Sequence, residues 1–189
     1  MRIVAAEYVS VDGRMQMEDP DGRDDERGGW TAQYWNDELA EMQREQLFAS
    51  DALLLGRVTY EIFAGTWPSF TDEEGFADRM NSLPKYVASR TLKEPLEWNA
   101  TLVEGDVVER VRQLKQESGR DVLIYGSGQL VNILAREQLI DEYRLMIHPI
   151  ILGRGKRLFE DENAKAALSL VDTQRTATGV TTLVLQQAG

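Results

Sequence analysis

The chain has 189 residues, of which 42% are hydrophobic and 28% are charged, and this balance is typical of a globular protein rather than a disordered one. A formal charge of −11 argues against binding to nucleic acids or membrane surfaces, which attract clustered lysine and arginine. With no cysteine and one histidine, the chain lacks the residues for a disulfide, a thiolate site or a multi-histidine metal site, and we expect no metal.

The length fits a single domain spanning residues 1–189, because domains commonly contain roughly 100–200 residues. The N-terminal residues reach Glu7 before an apolar signal-peptide core can form, and no apolar run approaches the ~20 residues that cross a bilayer. We therefore expect a cytoplasmic protein that contacts neither membrane nor nucleic acid.

The first predicted element is a strand at residues 3–9, which are rich in apolar and β-branched side chains and lead into an Asp12-Gly13 turn. Residues 15–29 then form a polar, charged, glycine-containing stretch that predicts a long surface loop, with an acidic run at residues 19–26. Compact domains seldom keep such a loop without a function, so this segment is either a lid over a site or a solvated insertion.

Strands and helices alternate through the middle of the chain. Asn36 or Asp37 caps a helix that ends near residue 49, and a buried strand at residues 52–55 leads into a helix start at residues 58–63. Residues 66–83 are predicted to be irregular. The other elements of this part are strands at residues 85–88, 100–103 and 121–125 and helices at residues 107–117 and 129–136.

The last third of the chain is predicted to be mostly strands, at residues 142–147, 149–152, 169–176 and 180–186. Alternating strands and helices favour a mainly parallel sheet with helices on both faces, and the final strands would add an antiparallel hairpin at one edge. The predicted fold class is therefore α/β.

The first candidate phosphate turn follows the strand at residues 52–55. Gly56 lets a ligand approach the backbone, Arg57 stands at the start of a helix whose free amides favour an anion, and Thr59 adds a hydroxyl donor. The alternative interpretation is a structural turn with a surface arginine.

The second candidate phosphate turn follows the strand at residues 85–88. Ser89 and Arg90 provide a hydroxyl and a guanidinium, a pair suited to a terminal phosphate monoester. A solvated turn is the alternative here as well.

The third candidate phosphate turn lies between the strand at residues 121–125 and the next helix. Residues 126–128, with the sequence Gly-Ser-Gly, form a concavity of backbone N–H groups that suits a pyrophosphate. Val131 occupies the third glycine position of the G-x-G-x-x-G pattern, which argues against an ordinary Rossmann domain. Because turns after parallel strands line one edge of a sheet, the three turns together favour a dinucleotide phosphate.

Taken in order, six motifs resemble the dihydrofolate reductase-like superfamily, in particular the branch that contains the reductase domain of the bifunctional riboflavin-biosynthesis deaminase-reductase and its stand-alone relatives. The motifs are Val11-Asp12-Gly13, Leu55-Gly56-Arg57-Val58-Thr59-Tyr60-Glu61, Ser89-Arg90-Thr91-Leu92, Gly126-Ser127-Gly128-Gln129-Leu130, Ile140-Asp141-Glu142 and Pro149-Ile150-Ile151-Leu152-Gly153-Arg154-Gly155. The resemblance covers nearly the whole chain. It implies a three-layer α/β/α sandwich, NADPH as the cofactor and a homodimer.

The resemblance also implies the cofactor contacts. Arg57 and Thr59 would lie near the adenosine phosphates, and Ser89 and Arg90 around the 2′-phosphate. The Ala5-Ala6 pair would lie beside the nicotinamide. The residues under the pyrophosphate would be Gly126, Ser127, Gly128, Gln129 and Leu130.

Two features depart from the family pattern. Riboflavin reductases tend to carry Glu-Gly-Gly where this chain has Tyr125-Gly126-Ser127, which favours the stand-alone relatives over a ribosylaminopyrimidine substrate. Dihydrofolate reductases hold the pterin with a carboxylate on the first helix, and here Asp37, Glu38 and Glu41 lie in that region. Asp37 is the predicted catalytic residue because the helix start directs it toward the cofactor edge. Its alternative role is to cap that helix.

Several other side chains have two interpretations. Trp30, Tyr34, Trp35 and Trp67 either stack on a planar heterocycle or pack within the protein. His148 is either a structural residue or an acid catalyst. The basic turn at residues 153–157 lies either near the cofactor edge or in solvent.

The predicted function is NADPH-dependent hydride transfer to a C=N or C=O bond of a small planar heterocycle of pteridine or pyrimidine type. One alternative is the 5-amino-6-(ribosylamino)uracil phosphate reductase of riboflavin biosynthesis. The other is a non-catalytic NADPH-binding dimer.

Overall fold

The computed structural model describes residues 1–15, 29–159 and 165–188, which form one eight-stranded sheet with helices on both faces. The strands are β1 (Arg2–Ser10), β2 (Ser50–Gly56), β3 (Lys85–Ala88), β4 (Ala100–Leu102), β5 (Asp121–Tyr125), β6 (Glu142–His148), β7 (Leu168–Arg175) and β8 (Thr181–Gln187). The helices are α1 (Asp37–Phe48), α2 (Arg57–Thr66), α3 (Phe76–Ser82), α4 (Val107–Gln116) and α5 (Gly128–Arg136), with 3-10 turns at Gly29–Tyr34 and Trp67–Ser69. Every helix in this described part is too short or too polar to traverse a bilayer.

The strand order is β4-β3-β2-β5-β1-β6-β8-β7. From β4 to β6 in this order, neighbouring strands are parallel, whereas β8 runs antiparallel to both β6 and β7. Parallel strands need crossover connections, which α1 provides between β1 and β2 and α5 provides between β5 and β6. The carboxyl ends of the parallel strands therefore lie at one edge of the sheet.

Side chains alternate between the two faces of the sheet and build two apolar layers. Ile3 and Ile124 face the layer under α4 and α5, which we call the α4/α5 face. Val4, Leu53 and Leu123 face the layer under α1, α2 and α3, which we call the α1/α2 face.

The predicted α/β fold class is confirmed, including the mainly parallel sheet between two helical layers and the antiparallel C-terminal hairpin of β7 and β8. Of the two candidate caps for α1, Asn36 makes the capping bond, because its side-chain oxygen accepts the Leu39 amide at 3.0 Å. Strand β7 lies at the edge of the sheet with most of its residues exposed.

The predicted irregular segment at residues 66–83 is wrong in its second half, which contains α3. The helix begins after Gly75, whose φ of 77° is left-handed, and the Asp72 carboxylate accepts the amides of Phe76 and Ala77. The capping acceptor therefore lies four residues before the helix instead of directly before it, so the usual sequence signature is missing.

The predicted strand at residues 149–152 is also wrong, because this segment joins no ladder of the sheet. Its backbone bonds instead to the turn after β1: the Val11 amide donates to the Ile150 carbonyl at 2.9 Å, and the Asp12 carboxylate accepts the Leu152 amide at 3.0 Å. Pro149 has no N–H to offer to a neighbouring strand. The apolar, β-branched composition thus reflects packing rather than strand pairing.

Candidate functional site

The three candidate phosphate turns lie side by side at the carboxyl edge of the sheet. Gly56, at the end of β2, pairs with Ala88 at the end of β3, directly before Ser89. On the other side of β2, strand β5 ends at Tyr125, one residue before the third turn. The parallel topology therefore brings together three segments that are distant in sequence.

The first and third turns are bonded directly to each other. The Gly56 N–H donates to the Ser127 hydroxyl at 2.9 Å, and the Ser127 N–H donates to the Thr59 hydroxyl at 3.1 Å. Ser127 donates its own hydroxyl proton to the Tyr125 carbonyl at 3.1 Å, whereas the Thr59 hydroxyl proton has no acceptor among the described residues and is available to a ligand. The Ser127 hydroxyl thus serves to join the turns rather than to contact a ligand.

The helices that start at these turns lack side-chain caps. Helices α1 and α4 are capped by Asn36 and Asp106, but within the described part of the chain no side chain caps α2 or α5. In α5, the Leu130 amide bonds to the Ser127 carbonyl at 2.7 Å, and within the described ranges the amides of Gly128 and Gln129 have no protein acceptor. Free amides at the positive end of a helix dipole favour an anion.

Two arginines flank this edge. Arg57, the first residue of α2, pairs with Glu61 at 2.8 Å on the exposed surface of the helix. Arg90 is exposed, and the preceding Ser89 hydroxyl accepts the amides two and three residues later at 3.1 and 3.0 Å, which shapes the second turn. The structure therefore keeps both guanidinium groups in contact with solvent at the edge where a phosphate would bind.

The side chain of Met15 lies over the start of α5. A Cβ placed on Gly128 would collide with the Met15 sulfur, so this glycine is needed for the close contact rather than for an unusual backbone conformation. Residues 16–28 lie outside the described residues, and the lid predicted for residues 15–29 stays a prediction.

The Asp12 carboxylate fastens the segment that follows β6 to the carboxyl edge. It accepts the Ser10 hydroxyl proton at 2.7 Å and the amides of Leu152 and Gly153 at 3.0 and 2.9 Å. The Ser10 bond, followed by those to the backbone amides, holds the pKa of Asp12 well below its usual value. Asp12 therefore stays ionised at neutral pH and holds the turn after β1 against the segment that follows β6.

The same segment is also bound to α5. The Asn132 side chain donates to the carbonyls of Gly128 and Leu158, both at 2.7 Å, and the Met15 amide donates to the Lys156 carbonyl at 2.9 Å. The basic turn at residues 153–157 is thus held near the start of α5, which favours its interpretation as part of the cofactor edge.

Ala6 lies in β1 beside the third turn and is only 2% exposed. It pairs with Tyr125 on β5 and with Arg144 on β6. The pairing of β1 with β5 ends at this residue, so the two strands are no longer bonded from Glu7 and Gly126 onward.

Glu7 is a buried carboxyl residue that the sequence analysis does not assign to the site. Burial raises its pKa well above the usual value, and the backbone amide of Gly126 opposes this shift only in part. In the described part of the chain its Oε1 has no hydrogen-bond partner. The available sequence signal is one acidic residue at an inward position of an otherwise apolar strand.

His148 is buried at the end of β6 inside a cluster of aromatic rings. The rings of Tyr8, Trp30 and Tyr34 meet it at steep angles, with centroid distances of 5.2, 5.1 and 5.5 Å. Its Nδ1 donates to the Met146 carbonyl at 2.8 Å, and burial lowers its pKa, so the ring is neutral at physiological pH. These contacts support the packing interpretation of Trp30 and Tyr34 and the structural interpretation of His148.

Asp37, the predicted catalytic residue, is exposed in the first turn of α1. Its capping alternative does not hold, because Asn36 caps the helix. Glu38 accepts the Ala177 amide and Glu41 accepts from Arg44, whereas for Asp37 the described residues provide no side-chain partner. Among the three carboxylates of this region, Asp37 is therefore the one that the described structure leaves available to a ligand.

A cavity of about 360 Å³ lies between α1 and the strands β6, β7 and β8. Arg144, the register partner of Ala6, lines it together with Gln46 and Met146, so the cavity lies on the α1/α2 face that Ala6 shares. Its other charged residues are Glu45, Glu142 and Asp172. This excess of carboxylates favours a neutral or cationic ligand over a phosphate. Nowhere in residues 1–15, 29–159 and 165–188 do three metal-ligating side chains cluster as a metal site would require.

Comparison with known proteins identifies relatives along most of the chain. The family model described as the RibD C-terminal domain matches residues 2–182. Two uncharacterized proteins of Bacillus subtilis (strain 168) are similar: YyaP at 33% identity, over 74% of this chain and 75% of its own, and YwjB at 28% identity, over 66% and 67%.

Solved structures share the fold. A putative riboflavin biosynthesis protein from Shewanella sp. PV-4 matches with a TM-score of 0.78 at 22% identity, covering 100% of both chains. The diaminohydroxyphosphoribosylaminopyrimidine deaminase/5-amino-6-(5-phosphoribosylamino)uracil reductase of Thermotoga maritima matches with a TM-score of 0.66 at 14% identity, covering 99% of this chain and 56% of that one. The dihydrofolate reductase-like fold implied by the sequence motifs is thereby confirmed.

Proposed function

Since the chain belongs to the RibD C-terminal domain family, we propose that it is an NADPH-dependent oxidoreductase that transfers hydride to a C=N or C=O bond of a small planar heterocycle. The observation that carries this proposal is the carboxyl edge of the sheet, where two uncapped helix starts are joined by hydrogen bonds. Two adjacent helix starts with free amides suit a ligand that carries several phosphate groups.

The geometry supports a specific assignment of the cofactor contacts. In this proposal the amides of Gly128 and Gln129 bind the pyrophosphate, and Arg57 and Thr59 bind the adenosine phosphates. The second candidate phosphate turn holds the 2′-phosphate, and Ala6 borders the nicotinamide. The bound cofactor supplies the hydride, while these residues orient it.

The substrate is proposed to bind on the α1/α2 face, where Ala6 and the cavity share one side of the sheet. Burial raises the pKa of Tyr125, so a neutral phenol stands next to Ala6. Asp37 is the proposed proton donor or polar anchor, since it is exposed in the first turn of α1. The acidic cavity and the neutral Tyr125 favour a heterocycle without a phosphate group.

A second candidate function is the uracil-phosphate reductase step of the riboflavin pathway. The family description and the names of the Shewanella and Thermotoga proteins support it. The acidic lining of the cavity opposes it, because Glu142 is already paired with Arg2 and Arg144 and a phosphorylated substrate would meet the carboxylates of Glu45 and Asp172. Turnover of NADPH with the ribosylaminouracil phosphate, compared with unphosphorylated pteridines and pyrimidines, distinguishes the two candidates.

The proposal also includes assembly as a cytoplasmic homodimer. Strand β7 forms the edge of the sheet, and its apolar residues Leu170 and Val171 are 57% and 56% exposed. An exposed sheet edge with apolar side chains is a surface that proteins usually cover. A second copy of the chain is the proposed cover.

NADPH should stabilise the protein more than NADH, because the second candidate phosphate turn offers a charge-assisted site for the additional phosphate. With NADPH at one hundred times its dissociation constant, the free energy of unfolding should rise by ~2.7 kcal/mol. Thermal unfolding with each cofactor at matched concentrations measures the difference. In the Arg90→Ala variant, NADPH and NADH should raise the unfolding temperature by nearly the same amount.

Equal stabilisation of the wild type by NADPH and NADH would contradict the assignment of Ser89 and Arg90. If neither cofactor changes the unfolding temperature at any concentration tested, the proposed function itself is contradicted.

A further inference from the structure

Glu7 follows Ala6 in β1, at the point where β1 and β5 stop pairing. Its side chain lies on the α4/α5 face, because strand residues alternate and both Ala5 and Val9 belong to that layer. The residue is 2% exposed, and its Oε1 finds no hydrogen-bond partner in the described ranges. Buried polar atoms in proteins are nearly always paired, so this carboxyl requires an explanation.

The surroundings of Glu7 provide no compensating positive charge among the described residues. On the α4/α5 face, β6 contributes Tyr143 and Leu145, and α5 contributes Leu130. Tyr125 on β5 also interacts electrostatically with Glu7. Burial raises the pKa of Tyr143 to about 12 and also raises that of Tyr125, so neither phenol adds a charge near Glu7. An ionised Glu7 would therefore be a buried and unpaired charge.

The polar contact of Glu7 connects it to the third candidate phosphate turn. The Gly126 amide partly opposes the rise in the pKa of the carboxyl, and the next amide, of Ser127, bonds to Thr59. The Ser127 amide is thus used within the protein, whereas those of Gly128 and Gln129 remain for an anion. The Glu7 carboxyl thus lies directly behind the turn to which the proposed function assigns the pyrophosphate.

We propose that Glu7 is a positioning residue that supports the third turn as a neutral carboxylic acid and thereby couples dinucleotide binding to protonation. This inference rests on the proposed function. An ionised Glu7 and a bound pyrophosphate would place negative charge on both sides of one turn, where the low dielectric strengthens their repulsion. At pH values between the Glu7 pKa of the free protein and that of the complex, binding therefore takes up a proton from the solvent, and ionisation of Glu7 weakens binding reciprocally.

The direction of the pH dependence follows from the raised pKa of Glu7 in the free protein. The contribution of Glu7 to NADPH affinity should be constant while the carboxyl is protonated. The NADPH affinity should fall, by up to ~10-fold per pH unit, as the pH rises through the Glu7 pKa of the free protein. Above the Glu7 pKa of the complex, the contribution of Glu7 to the affinity becomes constant again. Glutamine has the shape and charge of the protonated side chain, so Glu7→Gln should bind NADPH like the acidic form of the wild type at every pH.

Titration calorimetry of wild type and Glu7→Gln in buffers of different ionisation enthalpy measures both the NADPH affinity and the protons taken up. The 2′-phosphate of NADPH titrates near pH 6 and affects both proteins equally, so their difference reports on Glu7. Glu109→Gln is the matched control, since it removes an exposed carboxylate of α4 whose side chain is 63% exposed. Carbon-13 NMR of the Glu7 carboxyl gives its pKa with and without NADPH.

We expect proton uptake in wild type and Glu109→Gln that exceeds that of Glu7→Gln, together with a higher Glu7 pKa in the complex. A folded Glu7→Gln variant that binds NADPH more than ~10-fold more weakly at acidic pH would overturn the inference. Equal proton uptake in all three proteins would overturn it too.

If Glu7→Gln does not fold, the NMR comparison in the wild type decides. A Glu7 pKa that NADPH does not change overturns the inference, and so does a Glu7 that does not ionise in either state. Failure of every protein to bind NADPH at any pH contradicts the proposed function, whereas binding without the Glu7 linkage contradicts this inference alone.

Discussion

Arg57 begins α2, and its guanidinium pairs with Glu61 one turn later, with both side chains almost half exposed. An exposed helix pair of this kind contributes only about 0.3–0.5 kcal/mol to folding. A phosphate that displaces Glu61 would form a charge-assisted hydrogen bond worth about 1.5–3 kcal/mol. The contributions of Arg57 to folding and to cofactor binding are therefore separable.

Arg57→Ala should weaken NADPH binding by roughly 10- to 100-fold while the unfolding temperature changes little. The matched control is Arg112→Ala, which removes an exposed arginine of α4 that pairs with Glu109 and Glu137. The control should bind NADPH like the wild type. Fluorescence titration with NADPH measures both variants, and unchanged affinity in a folded Arg57→Ala protein would leave Arg57 as a surface residue paired with Glu61.

At the scale of an element, the third candidate phosphate turn is constrained from several sides. Gly126 and Ser127 have φ values of 56° and 58°, and the amide of Ser127 bonds to Thr59. A Cβ on Gly126 would lie 3.1 Å from the Thr59 hydroxyl, and a Cβ on Gly128 would meet Met15. The turn therefore has little freedom to move, and a rigid turn presents its remaining amides to a ligand at low entropic cost.

Gly126→Ala should reduce the free energy of unfolding by about 1–2 kcal/mol, because alanine is strained in the left-handed conformation and its methyl group would crowd Thr59. It should weaken NADPH binding as well, since the turn must shift. Gly65→Ala is the matched control, because its new methyl group in α2 would meet no described atom within 4 Å beyond its chain neighbours and its own helix backbone, and it should be neutral or slightly stabilising. Urea denaturation and NADPH titration compare the two. A Gly126→Ala protein that matches the Gly65→Ala control in both measurements would contradict the role given to the turn.

At the scale of the whole molecule, the edge strand β7 governs the expected assembly. The pairing of β7 with β8 shifts register between Leu170 and Asp172, so a bulge interrupts this edge near its exposed apolar residues. A bulge disfavours the addition of another strand to the edge. We therefore expect a second copy to pack against the side chains of Leu170 and Val171 rather than to extend the sheet.

Light scattering should give about twice the chain mass of 21.4 kDa for the wild type, and the mass of one chain for Leu170→Lys combined with Val171→Lys. Ile133→Lys is the control, because Ile133 is also an exposed apolar residue, at 39%, but lies on α5. A monomeric wild type at micromolar concentration would contradict the dimer. A double variant that stays dimeric would place the interface elsewhere.

The sequence by itself determined the fold class, the order of nearly all elements and the positions of the three candidate phosphate turns. These depend on local signals, namely apolar periodicity and the glycines that end strands. In the two wrong elements the local signal is missing or misleading. Helix α3 is capped by Asp72 from four residues away, and the segment after His148 bonds to Asp12, which lies 140 residues from Leu152.

Only the tertiary structure decided which polar groups of the site face a ligand and which hold the protein together. By residue type, Ser127 and Thr59 are both candidate ligand contacts, yet folding joins them across 68 residues and uses the Ser127 hydroxyl internally. In the sequence Glu7 is one acidic residue in an apolar strand, but in the folded chain none of the described residues packed against it provides a compensating charge. The physical reason is that the partners of a side chain, and the dielectric that sets its pKa, come from groups that are distant in sequence and adjacent only after folding.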